Sequence, residues 1–445
     1  MMLDHRSLEH ASSLSRGFQA EVRKETFAPE DTKILRRFST WEVVDLLLHV
    51  NAKTFARKLR EIAGMPHGES EAGAAGMKWF SLEEINQIRS LWKGREKVKL
   101  NPDRPKNRRA VRVAIANFKG GAGKSTTALH FAHAAALDGY RVLVVDFDPQ
   151  ATISHALGLV DVPEERTVWG VIAKDLMLET HRMNLQRQLQ DPNATPIRIP
   201  PGIEGVVSTE EGPDAFISPT CWPTIDVIGS CANAAFVEFA TAEYRMANRQ
   251  WSFFAAVDRF LGTLAHDRYD IIIFDCPPAI GYQSLNAVFA ADVLYIPTGP
   301  GYWEYDSTTS FMSQLAEALG EIAESYAYDP IVRGKLPKGF HAIRVILTRF
   351  EPSNDLHKSM KAALERVFGE WVTKNAIEHT RAVDQGGRFQ RSVYEMDYRQ
   401  MTRETWKRAR RSFDAAYTEM KDTVLEAWKK LPEERDHPNA GEDAA

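Results

Sequence analysis

Cysteine is scarce: three in 445 residues, at Cys221, Cys231 and Cys276. That number and that irregular placement exclude a disulfide framework and a four-ligand zinc site. Long apolar runs are missing too. No stretch approaches the roughly 18 uncharged apolar residues that a membrane helix needs, so no membrane span is expected. The first ten residues (MMLDHRSLEH) are charged and polar where a secretory signal needs an apolar core. A cytoplasmic chain is the expectation. No internal repeat is present. Apolar residues at 44% and charged residues at 26% exclude a disordered chain, a coiled-coil rod and a collagen-like fibre. The length calls for two or three domains.

The net charge of −4 conceals an asymmetry. Residues 1–110 hold 21 Lys/Arg against 15 Asp/Glu, and the remainder 35 against 45. A basic segment ahead of an acidic body fits an anionic partner at one end, although a solvated basic surface has the same composition. Residues 1–30 read as a charged helix, a candidate dimerisation segment. Ser39-Thr40-Trp41-Glu42 then has the capping-box pattern and opens the apolar run Val43, Val44, Leu47, Leu48. After a short break, Asn51 can cap a second helix whose Phe55, Leu59 and Ile62 share one face. Lys53, Arg57, Lys58 and Arg60 fall largely opposite. Two short helices separated by about three residues, the second basic outside, describe a helix-turn-helix. Residues 64–76 read as a loop or wing, and Ser81–Glu84 as a second capping box leading into Ile85, Ile88 and Trp92. Residues 31–92 resemble the winged helix-turn-helix of MerR-type DNA-binding domains; a small helical dimerisation domain is the competing reading. Trp41, Trp79 and Trp92 are expected in its core. Residues 93–110 read as a basic linker.

Beyond the linker, short apolar runs recur at 111–118, 142–145, 225–228, 271–274, 293–296 and 343–347. They are rich in Val and Ile and nearly continuous, as strands buried on both faces must be. Helical stretches separate most of them. This predicts an α/β, doubly wound, mainly parallel sheet over residues 111–430. Residues 190–222 look like an insertion loop, and 431–445 like a disordered acidic tail.

The chemistry concentrates in Lys119-Gly120-Gly121-Ala122-Gly123-Lys124-Ser125-Thr126, between a predicted strand and a predicted helix. Glycines let the backbone wrap a phosphate with its N–H groups inward. The helix N-terminus adds positive potential, Lys124 can reach the β- and γ-phosphates, and the Ser125 hydroxyl can ligate Mg²⁺. Two further strands end in acids: Asp146-Phe147-Asp148-Pro149-Gln150 and Asp275-Cys276-Pro277-Pro278. Parallel strands bring their C-terminal ends to one edge, so the three motifs converge on one crevice. Ser125, Asp146 and Asp275 are the candidate metal ligands, and Asp148 is placed to orient water. Phosphoryl transfer needs little beyond such positioning and charge neutralisation. His130 and His133, three apart on the helix after the glycines, have no third ligand near and are expected to pack or face solvent.

Phe118 stands where the general P-loop has its first glycine, and Lys119 precedes the glycine cluster. This string resembles the deviant Walker A motif of the ParA/MinD family. Residues 139–158 and 275–300 are similar to ParA stretches, and 27–60 and 392–403 resemble the RepA partition proteins of repABC-type plasmids. The resemblance implies an ATPase using ATP and Mg²⁺. It implies a homodimer in which Lys119 crosses to the partner's phosphates, giving Lys119, Lys124 and Asp148 catalytic roles. It also implies DNA binding without sequence preference, stimulation by a ParB-type (RepB-like) centromere-binding protein, and attachment to the nucleoid. The candidate DNA surfaces are Lys53, Arg57 and Lys58 for an operator and, for non-specific contact, a C-terminal group. That group is Arg381, Arg388, Arg391, Arg403, Lys407, Arg408, Arg410 and Arg411, although a solvated helix face would also account for part of it. Thr348-Arg349 stands near the family's adenine-contacting strand end.

Three functions remain open on these residues. One is a partition ATPase, which also autorepresses its operon. The second is a transcriptional regulator responding to ATP without motor action. The third, a metal-cluster relative with the same P-loop, wants a bridging cysteine pair that Cys221 and Cys231 do not supply.

Overall fold

The structure is a computed structural model that describes residues 33–70, 78–92, 104–160, 162–199, 210–231, 241–245, 251–327 and 339–433, with isolated residues elsewhere. Most of the predicted first helix, residues 93–99 and the tail from 434 lie outside that range.

The N-terminal part starts with β1 (Phe38–Ser39) and α1 (Glu42–Leu47), which winds as a π-helix. The predicted capping bonds form: Glu42 accepts from the Ser39 backbone and hydroxyl, both at 3.0 Å. Asn51 caps α2 (Ala52–Glu61) as its sequence position required, accepting from the Lys53 and Thr54 amides. Next come β2 (Glu69–Ser70), β3 (Lys78–Phe80) and α3 (Leu82–Leu91), the last opened by a complete Ser81–Glu84 capping box. The strands form a small antiparallel sheet in the order β1-β3-β2. Phe55 packs edge-on against Phe80, and Trp79 and Trp92 are buried. Two helices are followed by the antiparallel pair β2 and β3 and then by α3.

The larger part has a seven-stranded sheet. Its strands are β4 (Val111–Ile115), β5 (Val142–Asp146), β6 (Ser218–Pro219), β7 (Ile225–Ile228), β8 (Ile271–Asp275), β9 (Val293–Thr298) and β10 (Ala342–Leu347). The order is β10-β9-β4-β8-β5-β7-β6, parallel except for β6. All six predicted runs are strands. β6 was not anticipated: it lies in the segment read as a loop, and its Pro219 suits an edge position where no amide is needed.

Alternation along β4 sorts the core. Val111, Val113 and Ile115 face one hydrophobic layer and Ala114 the other. The first layer holds α4 (Lys124–Asp138) and α12 (Arg403–Lys430), and it runs on into Phe38, Val43, Phe55 and Ile88 of the N-terminal part. The second is formed by α6 (Val168–Gln190), α7 (Ala256–Leu261), α8 (Tyr282–Ala290) and α9 (Tyr302–Ser325). Shorter helices are α5 (Thr152–Ala156), α10 (Asp355–Phe368) and α11 (Arg381–Arg388). α4 is apolar almost all round because it is enclosed between sheet, α12 and the N-terminal part.

The described end of the predicted linker is strapped down rather than solvated. Arg109 makes a two-pronged pair with Asp292 at 2.8 Å, Arg104 reaches Asp270 at 3.0 Å, and Arg108 donates to the Trp428 carbonyl at 2.8 Å.

Candidate functional site

The loop between β4 and α4 turns on two glycines in the left-handed region, Gly121 at φ +74° and Gly123 at +84°. A side chain is strained at either position. At Gly123 a Cβ would lie in ordinary contact with Thr348, 3.4 Å from its methyl. The loop therefore has the residues its shape requires. Lys124 opens α4, is 6% exposed, and folds its ammonium back onto the Lys119 carbonyl at 3.3 Å. Burial lowers its pKa, and Asp275 pulls it back. A buried cation at a helix N-terminus, ringed by loop amides, is built to receive an anion.

β5 and β8 are neighbours, and their register places Asp146 opposite Asp275. The two acids have different surroundings. One Asp146 oxygen accepts from the Ser154 amide at 3.0 Å and its hydroxyl at 2.6 Å, and the other accepts from the Asp148 amide at 3.0 Å. Burial raises its pKa to about 7 despite those bonds. Asp146 thus braces the loop 147–154 with both oxygens. Asp148, two residues on, uses one oxygen on the Gln150 amide at 2.9 Å. Asp275 is fully buried, and among the described residues neither of its oxygens meets a hydrogen-bond donor in good geometry. Burial and then Asp146 push its pKa well up; the nearby Ser125 hydroxyl and Lys124 act in the opposite sense. An orphaned buried carboxylate beside a P-loop serine and lysine fits a hydrated divalent cation carried with phosphates.

Two further groups support this crevice: Ser154, which sequence reasoning missed, and Thr348, which it placed only near an adenine-contacting strand end. Ser154 holds Asp146, and Thr348, at the end of β10, donates to the Ala122 carbonyl at 2.8 Å. A serine eight residues past an aspartate carries no periodic signal. Arg349 follows with a left-handed φ of +52° and lies 3.7 Å from Glu304. The histidines are wholly internal. His130 stacks on Phe413 at 3.7 Å between ring centres and binds the Thr126 carbonyl, while His133 stacks on Trp222 at 4.0 Å.

The candidate DNA surfaces separate into exposed and buried cations. Lys53 and Arg57 of α2 are exposed, Arg57 beside Glu61 at 3.7 Å. The Lys58 side chain is only 14% exposed and lies 3.5 Å from the same Glu61, on the flank rather than the outer face. Arg408 and Arg411 are exposed and, with Lys361 and Lys374, line one groove. Arg410 does not belong with them. It is 3% exposed and enclosed by Tyr394, Trp406 and Asp414.

Known proteins match both parts. The AAA domain family matches residues 110–327. A Rhizobium rhizogenes protein described as a replication protein A is 29% identical over 94% of each chain. SopA of Escherichia coli is 27% identical over 89% of this chain and 91% of its own. The chromosome partitioning protein ParA of Caulobacter vibrioides is 25% identical over 63% of this chain and 85% of its own. A solved partition protein has the same fold, with a TM-score of 0.59 and 16% identity across 95% of this chain and 99% of its own. The chain carries a ParA-family AAA domain over residues 110–327 and is similar along most of its length to SopA.

Proposed function

We propose that this protein is an ATP-hydrolysing partition protein of a plasmid-type replicon, in which nucleotide state governs attachment to DNA. The observation that carries the reading is Asp275, buried with both oxygens unsatisfied among the described residues, next to Ser125 and Lys124. In this reading the amides of residues 120–124 cradle the phosphates and Lys124 neutralises their charge. Ser125 and Asp275 would hold Mg²⁺, which would supply charge neutralisation on the phosphates. Asp148, with one carboxylate oxygen not used on Gln150, orients the attacking water, and Asp146 keeps the loop in place from behind. Lys119, at the mouth of the loop, serves the phosphates of a second subunit in an ATP-bound homodimer.

DNA attachment has two proposed surfaces. α2, with Lys53 and Arg57 outward, enters a major groove at an operator, and the groove of Arg408 and Arg411 contacts phosphates of any sequence. Operator binding gives autorepression, and a ParB-type protein stimulates turnover and release. No described helix is long and apolar enough to cross a membrane, and the proposed place of action is the nucleoid in the cytoplasm. Steady-state ATP hydrolysis of the full chain, with and without random duplex DNA, tests the reading. DNA-stimulated turnover that disappears in Lys124→Ala supports it. ATP binding without turnover under any of these conditions would leave the ATP-responsive regulator as the better account.

A further inference from the structure

The Ala122–Gly123 peptide sits at the turn from the loop into α4. In a trans peptide the C=O and N–H point in opposite directions. Fixing the Ala122 carbonyl therefore fixes where the Gly123 amide points. The residue that fixes it comes from the far side of the site: Thr348, 3% exposed, donates its hydroxyl to the Ala122 oxygen at 2.8 Å. The strand end is already closed by the Thr348 amide on the Thr298 carbonyl at 2.8 Å; the hydroxyl lies 3.3 Å from that same carbonyl, a longer contact than the one it makes to Ala122. The Gly123 carbonyl is also engaged, accepting from the Thr127 amide at 2.8 Å in the first turn of the helix. With the Ala122 carbonyl held towards Thr348, the Gly123 amide points away from Thr348.

Glycine makes the restraint necessary. A peptide followed by glycine can flip by concerted rotation about the preceding ψ and the glycine φ, since glycine tolerates both signs of φ. A flipped Ala122–Gly123 unit would present a carbonyl oxygen to the phosphate in place of a donor. The incoming side of the loop is tied to the same framework. Asn117 donates to the Pro297 carbonyl at 2.7 Å and to the Thr308 hydroxyl at 3.0 Å, and Thr308 lies 2.9 Å from the Thr298 hydroxyl. Asn117, Thr298 and Thr308 are all buried. Both ends of the loop are thus pinned to the ends of β9 and β10.

We propose that Thr348 is a positioning residue for nucleotide phosphate, acting through the Ala122–Gly123 peptide. The proposal rests on the reading of residues 119–126 as the nucleotide cradle. The test is calorimetric binding of ADP, which needs no turnover, to the full chain carrying Thr348→Val or Thr348→Ser. Valine keeps the branched shape and removes the donor; serine keeps the donor. Valine should weaken ADP binding roughly tenfold, the scale of one hydrogen bond, and serine should stay within about twofold of wild type. Without nucleotide, the valine variant should melt close to wild type, because the strand end remains closed. If valine impairs folding, Thr348→Ala takes its place with the same expected loss. Wild-type ADP affinity in the valine or alanine variant overturns the proposal. So does a loss confined to unliganded melting temperature, which would assign Thr348 to the strand end alone. Failure of the wild-type chain itself to bind ADP would instead overturn the nucleotide reading.

Discussion

Arg89, on α3 of the N-terminal part, donates to the backbone carbonyl of Leu137 in the last turn of α4. It also reaches the Leu47 carbonyl at 3.3 Å, at the end of α1. The last carbonyls of a helix have no partner of their own, and a cation there also opposes the negative end of its dipole. Burial lowers the Arg89 pKa to about 10, with Asp138 acting against the shift, so it remains charged at neutral pH. One side chain thus serves two helix ends in two parts of the molecule, and the opposite end of α4 is the proposed phosphate cradle.

Replacing Arg89 with Met should leave two buried carbonyls short of a donor and cost roughly 2 kcal/mol or more. Chemical denaturation should show this as a lower midpoint. Loss of the joint should also separate one transition into two, the N-terminal part unfolding first. A single unshifted transition would show that the contact contributes nothing.

Asp146 and Asp148 should behave as different kinds of residue. Asp146→Ala removes the acceptor of three bonds and should lower stability by about 2–3 kcal/mol before any nucleotide is added. Asp148→Ala should melt near wild type, bind ATP, and hydrolyse it slowly. Melting curves and single-turnover hydrolysis on both variants check this. Equal behaviour in the two assays would contradict the assignment.

The arginines of α12 divide in the same way. Arg410→Ala empties a buried site against Tyr394 and Trp406 and should destabilise the chain. Arg411→Ala should leave melting unchanged, weaken ATP-dependent binding to random duplex, and flatten its dependence on salt, whereas Arg408→Ala, which also breaks the 2.6 Å pair with Glu378, should change the salt slope less. Gel-shift titration at two salt concentrations reads the second effect. Separating the two DNA surfaces by truncation needs a cut before residue 104, since Arg104 and Arg109 belong to the ATPase body by their ion pairs.

His130 gives a pH dependence. Burial holds its ring near a pKa of about 4, against 6.5 when unfolded. The unfolded chain therefore takes up a proton that the folded chain refuses, and stability falls as pH drops from 6.5 towards 4. Buried Asp146 and Asp275 have raised pKa values and act in the opposite direction, so the wild-type curve alone is uninformative. The stability difference between wild type and His130→Gln isolates the effect. It should shrink by about 2 kcal/mol between pH 7.5 and pH 5, measured by urea denaturation.

The sheet was legible because burial on both faces leaves almost continuous Val and Ile, and the P-loop because phosphate binding demands glycines at fixed places. The caps at Ser81 and Asn51 were legible for the same local reason. Less visible was whatever depends on distant chain. Arg410 reads as one more cation in a basic helix until Tyr394 closes over it. Lys58 shares its helix with Arg57, and only the packing of α2 shows which of them is outward. Ser154 and Thr348 are ordinary hydroxyls in sequence, and their partners lie eight and 226 residues away. The two-residue strand β6 is too short to carry any pattern.

The straps that join the basic segment to the acidic body also bear on the thermodynamics of DNA binding. Lys33, Arg104, Arg108 and Arg109 are paired with Glu395, Asp270, Glu433 and Asp292. A cation already neutralised inside the molecule displaces no condensed ion from a duplex. Each phosphate contact contributes a slope of about −0.9 in log affinity against log salt, and only free cations count towards it. The surplus of Lys and Arg in residues 1–110 would therefore overstate the ions released at the proposed operator. In the proposed operator complex that number would be set by outward side chains of α2 such as Lys53 and Arg60.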